Sequence, residues 1–379
     1  MVVEKKPVEP VKSVERQLVL PLEFRLEPSA READGRKAED TFQLLDEAHG
    51  KIRHVVLSYG DDRLAKFITN LIPAMDDDVV FTAFRRPNSN ATIIDSFLHE
   101  QGSRVRVFEA AGVVEYPQDR IHVLHSREYG LYALVPEKGV EALYNAVQEH
   151  SREFVRIQGR DLRWSLKCFE GGDIMPDDKR VFVGPELIAQ NKSPERVRER
   201  ISRISGNRGV VLVTLGNVVE HLDMFFKPVG DDTVVVGDTR LAREKLTDAD
   251  RVKLARLLEG TAFHDRELDV LAERMEGEGL KVERIPVLFH PRSMMHPART
   301  YGYSNVSYTN VELENYSVGG DNVRRVYMPA YGISLDETAK DVWEKKLGFK
   351  VVPINVGTDS FTLGDSFRCN MKVVERRYF

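Results

Sequence analysis

The sequence predicts an α/β chain assembled from small ββαβ-like units in a radial array. Two observations carry that prediction. Strands and helices alternate along most of the chain, and a strand–turn–helix–strand passage opening at Val181-Phe182-Val183-Gly184-Pro185 recurs 53 positions later at Val234-Val235-Val236-Gly237-Asp238. Self-similarity near 50 residues marks repeat architectures, in which each unit buries its apolar face against a neighbour. The helices set these units apart from all-β blades. Alternation alone also suits an ordinary α/β protein, so the period is the discriminating feature.

Residues 1–38 mix Glu, Lys and Arg with Pro7, Pro10, Pro21 and Pro28 and hold no period, which reads as a partly ordered extension with an apolar patch from Leu18 to Leu22. Capping of the site or assembly into a homo-oligomer is left open for it. Residues 39–379 are expected to form one domain, opened by a helix on which Phe42, Leu45 and Ala48 share a face. Val55 to Ser58 reads as a strand, Arg63 to Met75 as a helix and Val79 to Ala83 as a buried strand. A helix over Thr92 to Glu100 and a strand over Arg104 to Glu109 follow. The first repeat continues through a helix from Pro194 to Ile204 and a strand from Gly209 to Thr214. The second continues through helical Asp248 to Leu258. A third version begins at Val326-Tyr327-Met328-Pro329, with a helix from Leu335 to Lys346 and a closing strand from Phe349 to Ile354.

Composition narrows the function. The 379 residues carry 55 Lys+Arg against 60 Asp+Glu, a formal charge of −5, which lacks the basic excess of a nucleic-acid surface. Hydrophobic residues at 42% and charged residues at 30% suit a globular chain with a sizeable core. Cys168 and Cys369 make at most one pair, and no Cys/His cluster has zinc-binding spacing. No run reaches the 18 or so apolar residues that cross a bilayer. The opening Met-Val-Val-Glu-Lys-Lys-Pro lacks a signal-peptide core. A cytoplasmic protein of enzyme size, without nucleic-acid or membrane partners, is the expectation.

Four constellations could carry chemistry. In Cys168-Phe169-Glu170-Gly171-Gly172-Asp173, two glycines behind a carboxylate let the backbone approach a ligand, or simply turn after a strand. His221-Leu222-Asp223 reads as strand, so His221 and Asp223 would share a face, for chemistry or as a structural ion pair. Asp119, in Tyr116-Pro117-Gln118-Asp119-Arg120, is read alone as a turn residue. Cys369 is a free thiol that serves either as nucleophile or as an inert core group, whereas Cys168 alternates with Trp164 and Leu166 as a strand-core residue would. The surplus of carboxylates beside a thiol and an imidazole suits a planar cation, because a guanidinium offers forked N–H donors to bidentate carboxylates.

Taken together and in this order, these motifs resemble the pentein, or guanidino-group-modifying, superfamily. Glu170-Gly171-Gly172-Asp173 is similar to its Glu-Gly-Gly signature, His221-Leu222-Asp223 to its His-x-Asp motif, and Tyr116 to Asp119 to its aromatic-x-x-Asp motif. Tyr308-Thr309-Asn310, Asn315, Val326 to Pro329 and Asp336 resemble the stretch found in agmatine deiminases and bacterial peptidyl-arginine deiminases, and Cys369 falls at the place of the catalytic cysteine. Before that cysteine the chain departs from the family's glycine-rich run and histidine, reading Gly364-Asp365-Ser366-Phe367-Arg368.

The resemblance implies a five-bladed α/β propeller, with pseudo-fivefold ββαβ units around a central channel. It implies a Cys369 thiolate attacking the guanidinium carbon, His221 as general acid and then base, and Asp119, Asp223 and Glu170 gripping and orienting the substrate. Gly171 and Asn310 would line the substrate site. Arg368 is one of four candidates, with Arg292, Arg299 and Arg376, to receive an α-carboxylate, although each alone reads as a solvated surface residue. No metal or cofactor is expected. The reaction implied is hydrolysis of arginine, agmatine or an arginine derivative to a ureido product and ammonia through a thiouronium intermediate. Amidino transfer to an amine acceptor and a non-enzymatic binding protein on the same scaffold are the alternatives.

Overall fold

A computed structural model describes residues 43–109, 121–126, 131–136, 154–156, 171–191, 193–215, 221–259, 261–289, 305–356 and 367–379. All of these fall within the compact unit Thr41–Phe379. The extension expected at 1–38 lies outside the described residues, as do Asp119, Glu170, Cys168, Arg292 and Arg299.

Among the described residues the strands form five sheets, and each contains an antiparallel pair extended by a parallel strand. In one sheet, Ile174–Pro176 pairs with Arg180–Val183, which pairs in parallel with Gly209–Leu212. In the next, Phe226–Gly230 and Thr233–Asp238 form a hairpin and Lys281–Phe289 lies parallel to its second strand. A hairpin of Glu312–Val318 and Asp321–Ala330 is extended by Lys350–Asn355. A parallel strand needs a crossover, and helices supply it: Pro185–Asn191 and Pro194–Ser202 in the first case, Asp265–Gly277 in the second, Leu335–Asp341 in the third. The recurring unit is therefore ββαβ, as the 53-residue period anticipates. The carboxyl-terminal strand Met371–Arg377 pairs antiparallel with Lys51–Asp61, joining the two ends of the described body in one sheet with Val80–Asn90 and Val105–Glu109.

Local chemistry explains these junctions. Asp231 and Asp232 both have positive φ (51° and 54°), and so do Gly319 and Gly320 (61° and 92°), the conformation that closes a two-residue hairpin in register with the strand twist. Ser193 accepts a hydrogen bond from the Arg196 N–H (3.2 Å) ahead of Pro194, and Asp238 accepts one from the Leu241 N–H (2.9 Å), so strand ends become helix caps. The glycines repeated in the two passages are both required by close approach. A Cβ on Gly184 would lie 2.1 Å from Asp173 Oδ1, and one on Gly237 would lie 2.6 Å from a Val287 methyl.

Two expectations are corrected. The helix anticipated from Phe42, Leu45 and Ala48 is instead an extended segment, with Gln43–Leu44 paired to Ile121–Ser126. Tertiary pairing overrides the period here, because the Leu44 N–H bonds Ile204 O and the Leu45 N–H bonds Val123 O, each at 2.8 Å. His221-Leu222-Asp223 is not strand either. Leu222–Met224 is a 3-10 turn with His221 at its amino-terminal cap, so His221 and Asp223 do not share a strand face. The apolar run is real, but it reports burial rather than strand: Leu222, Met224 and Phe225 are buried ahead of the strand Phe226–Gly230, as Phe226 is within it.

Candidate active site

Three short turns, distant in sequence, meet. The first is Gly171–Asp173. Asp173 is fully buried, with Oδ2 accepting the Leu187 N–H (2.5 Å) at the start of a helix and Oδ1 accepting the Leu222 N–H (2.9 Å). Burial drives its pKa up to about 7, against the pull of the nearby His221 and of those two N–H donors. Asp173 thereby ties the Gly-Gly turn to the second turn, Leu222–Met224.

That second turn is also held from its other side. Thr309 Oγ1 donates to Asp223 O (3.0 Å), and Ser307 Oγ donates to Met224 O (2.8 Å). His221 Nε2 lies 3.4 Å from Glu186 Oε2, a carboxylate that the sequence motifs did not single out. Asp223 is completely buried, and its Oδ2 lies 3.4 Å from Arg368 Nη1.

Arg368 opens the third turn, Arg368–Asn370, whose backbone includes Cys369. Phe367 packs edge-on against Phe67, with ring centroids 5.4 Å apart. The Arg368 N–H donates to Asn310 Oδ1 (2.5 Å), which places the expected substrate-site residue Asn310 beside the cysteine turn. The turns bearing Gly171, His221 with Asp223, and Cys369 are thus linked through Asp173, Asp223 and Asn310. The backbones of three of the predicted motifs converge. Asp119 and Glu170 lie outside the described residues.

Arg368 itself departs from the expectation that it offers a cation to a substrate carboxylate. Its side chain is 1% exposed, and its guanidinium faces inward onto Glu47 Oε1 (2.6 Å), Glu312 Oε1 (2.8 Å) and Asp223. Arg376, another of the candidates, is equally buried and reaches Glu312 Oε2 (3.1 Å) and the Leu313 carbonyl (2.5 Å). Lys227 and Lys372 approach Glu47 at 3.4 and 3.5 Å. Burial penalises the Glu47 and Glu312 carboxylates, but the surrounding cations, Arg368 first, outweigh it and hold both pKa values below the ordinary range. Burial and the neighbouring Arg368 charge lower Lys227 to about 8. A small cavity of about 20 Å³, enough for one water, borders this network and is lined by Gly171, Glu47, Glu312, Lys372 and Arg376.

Sequence reading missed Glu47, Glu186, Lys227, Glu312 and Lys372. Lys227 had a signal, a lone ammonium inside the apolar run Met224-Phe225-Phe226-Lys227-Pro228-Val229 that burial demands be paired. Glu47 and Glu312 had none, since their partners lie 56 or more residues away, beyond any local spacing. Among the described residues no group of His, Cys, Asp and Glu side chains is arranged to hold a metal ion, and no helix is long and apolar enough to cross a membrane.

No family model and no curated protein matches the chain. Solved structures do. C. jejuni agmatine deiminase superposes with a TM-score of 0.60 at 12% identity, covering 89% of this chain and 97% of that one. An agmatine deiminase of Enterococcus faecalis superposes with a TM-score of 0.59 at 15% identity, covering 89% of this chain and 97% of that one. The chain therefore has a mixed α/β fold similar to that of the pentein deiminases.

Proposed function

We propose that this chain is a C–N hydrolase acting on a guanidino compound, with its ββαβ units arranged as a five-bladed propeller and residues 39–379 forming one catalytic domain. What supports the reading above all is the convergence of the Gly-Gly, His-x-Asp and cysteine turns at Asp173, Asp223 and Asn310, on the fold that agmatine deiminases share.

In this reading Asp119 and Asp223, the latter through Oδ1 while its Oδ2 faces Arg368, hold the guanidinium nitrogens, Glu170 orients the reacting group, and Gly171 and Asn310 let it approach the backbone closely. The Cys369 thiolate forms a bond to the central carbon, and the carbon–nitrogen bond breaks as His221 donates a proton to the departing amine. The thiouronium adduct remains on sulfur. His221, now neutral, takes a proton from water. The resulting hydroxide adds to the carbon, and collapse expels the thiolate and leaves the ureido product. One water is consumed and one ammonia released. The substrate's own positive charge makes the carbon electrophilic.

The test is a panel of arginine, agmatine and an arginine peptide, scored for ureido product and ammonia. One member is expected to turn over, and Cys369→Ala to lower the rate by at least about 10⁴-fold. Undiminished turnover in that variant would remove Cys369 from the mechanism. A new guanidino compound formed from glycine or ornithine would instead establish amidino transfer.

A further inference from the structure

We propose that Glu47, Asp223 and Glu312 form a guanidinium-binding site that the chain fills with its own Arg368, and that this occupancy places the Cys369 turn against the turn bearing His221. The binding site stands on the structure alone, whereas the catalytic consequence rests on the function proposed above.

A guanidinium has three nitrogens in one plane, and each here meets a carboxylate from a different part of the chain. Nη2 meets Glu47 at 2.6 Å, from the segment ahead of Lys51–Asp61. Nε meets Glu312 at 2.8 Å, from the first residue of a strand, and Nη1 meets Asp223 at 3.4 Å. The Arg368 side chain is 1% exposed and those of the three acids 8%, 1% and 0%, so the site is closed to solvent. Arg368 reaches all three carboxylates at once. Glu47 and Glu312 are kept ionised because Lys227, Lys372 and Arg376 approach them as well. Lysine could not substitute for Arg368, since a point charge cannot serve three acceptors disposed around a plane.

The position in sequence gives the site its consequence. Arg368 immediately precedes Cys369, and its guanidinium contacts Asp223, which is two residues from His221. Its side chain therefore spans the two turns that the proposed reaction requires to be in register, and Arg368 acts as a positioning residue.

The test is Arg368→Ala, which leaves a cationic vacancy facing the three acids. Methylguanidinium, titrated at millimolar levels, is expected to raise the melting temperature of R368A saturably by about 2–4 °C and to leave the wild-type protein unchanged. Methylammonium and sodium chloride are expected to do neither, and the rise is expected to vanish in R368A/E312Q. A response shared by wild type and variant, or reproduced by methylammonium, would overturn the site. If R368A does not stay folded, refolding yield replaces melting temperature, with methylguanidinium expected to raise it over methylammonium and equal yields overturning the site. The placing role is read from turnover at saturating substrate. Methylguanidinium is expected to raise kcat of R368A without lowering KM, while R368K is expected to stay slow with or without it. A stabilised R368A whose kcat does not recover, beside an active wild type, would overturn the placing role. Stabilisation of R368A with no turnover even by wild type would leave the site standing and remove the proposed reaction.

Discussion

Replacing Glu47 by glutamine should unbalance the buried charge network. Glu47 faces Arg368 at 2.6 Å, Lys227 at 3.4 Å and Lys372 at 3.5 Å. At an effective dielectric constant near 20, each attraction is about 5–6 kcal/mol gross, most of it offset by the desolvation of the buried ions. Glutamine keeps the shape and one acceptor but removes the carboxylate that Arg368, Lys227 and Lys372 share. Removing one partner from a buried ion pair costs about 3–5 kcal/mol. Lys227 provides partial relief. Its pKa of about 8 falls further without Glu47, so it discharges, and releasing a proton from such a group at pH 7 costs about 1.4 kcal/mol. The expected loss for E47Q is therefore about 4 kcal/mol at pH 7, shrinking at pH 9, where Lys227 is largely neutral in both proteins. Urea unfolding followed by tryptophan fluorescence, with fully buried Trp343 as a reporter, measures it. A loss below about 1 kcal/mol, or one that does not change between pH 7 and 9, would refute the electrostatic reasoning.

Other consequences are smaller in scope. The folded-state pKa of Lys227, about 8, lies below its ordinary 10.5, so the unfolded chain binds more protons between those values and stability rises with pH across that window; Lys227→Met should flatten a rise of up to about 3 kcal/mol in urea titrations from pH 8 to 10. Asp173 has the opposite sign, with a pKa of about 7 against 3.8, so its contribution is present below pH 4 and is lost as pH climbs toward 7; denaturant midpoints of wild type and Asp173→Asn compared from pH 4 to 8 should show the variant with the shallower decline. Asp336 accepts from Tyr308 Oη (2.6 Å) and from the N–H groups of Tyr331, Gly332 and Ile333, so Asp336→Ala should cost about 3 kcal/mol in the same assay.

Much of the fold was legible because it is written in local patterns. The helix Thr92–Glu100 matches its expected bounds, and the third unit appears as anticipated, except that its helix passes into a π-helical turn over Val342–Lys346. The helix Asp265–Gly277, absent from the expectations, carries the same signal, with buried Leu268, Leu271, Ala272 and Met275 at helical spacing. The irregular turns were not legible. A 3-10 turn of three residues has too few positions to display a period, and Leu222–Met224 is shaped by Asp173, Ser307 and Thr309 from elsewhere in the chain. The same reason limits the site. Residue types named His221, Asp223, Asn310 and Cys369, but the inward commitment of Arg368 depends on Glu47 and Glu312, whose proximity no spacing encodes.

The account turns on the thiol of Cys369 meeting a guanidino carbon. Its most direct test is to treat the folded protein with an amidine-bearing electrophile, such as 2-chloroacetamidine, and to map the modified peptide by mass spectrometry. One adduct per chain on Cys369, formed faster than with chloroacetamide and slowed by excess substrate guanidine and by His221→Ala, is predicted. Modification of Cys168 in preference, or equal rates with the amidine and the neutral amide, would contradict it.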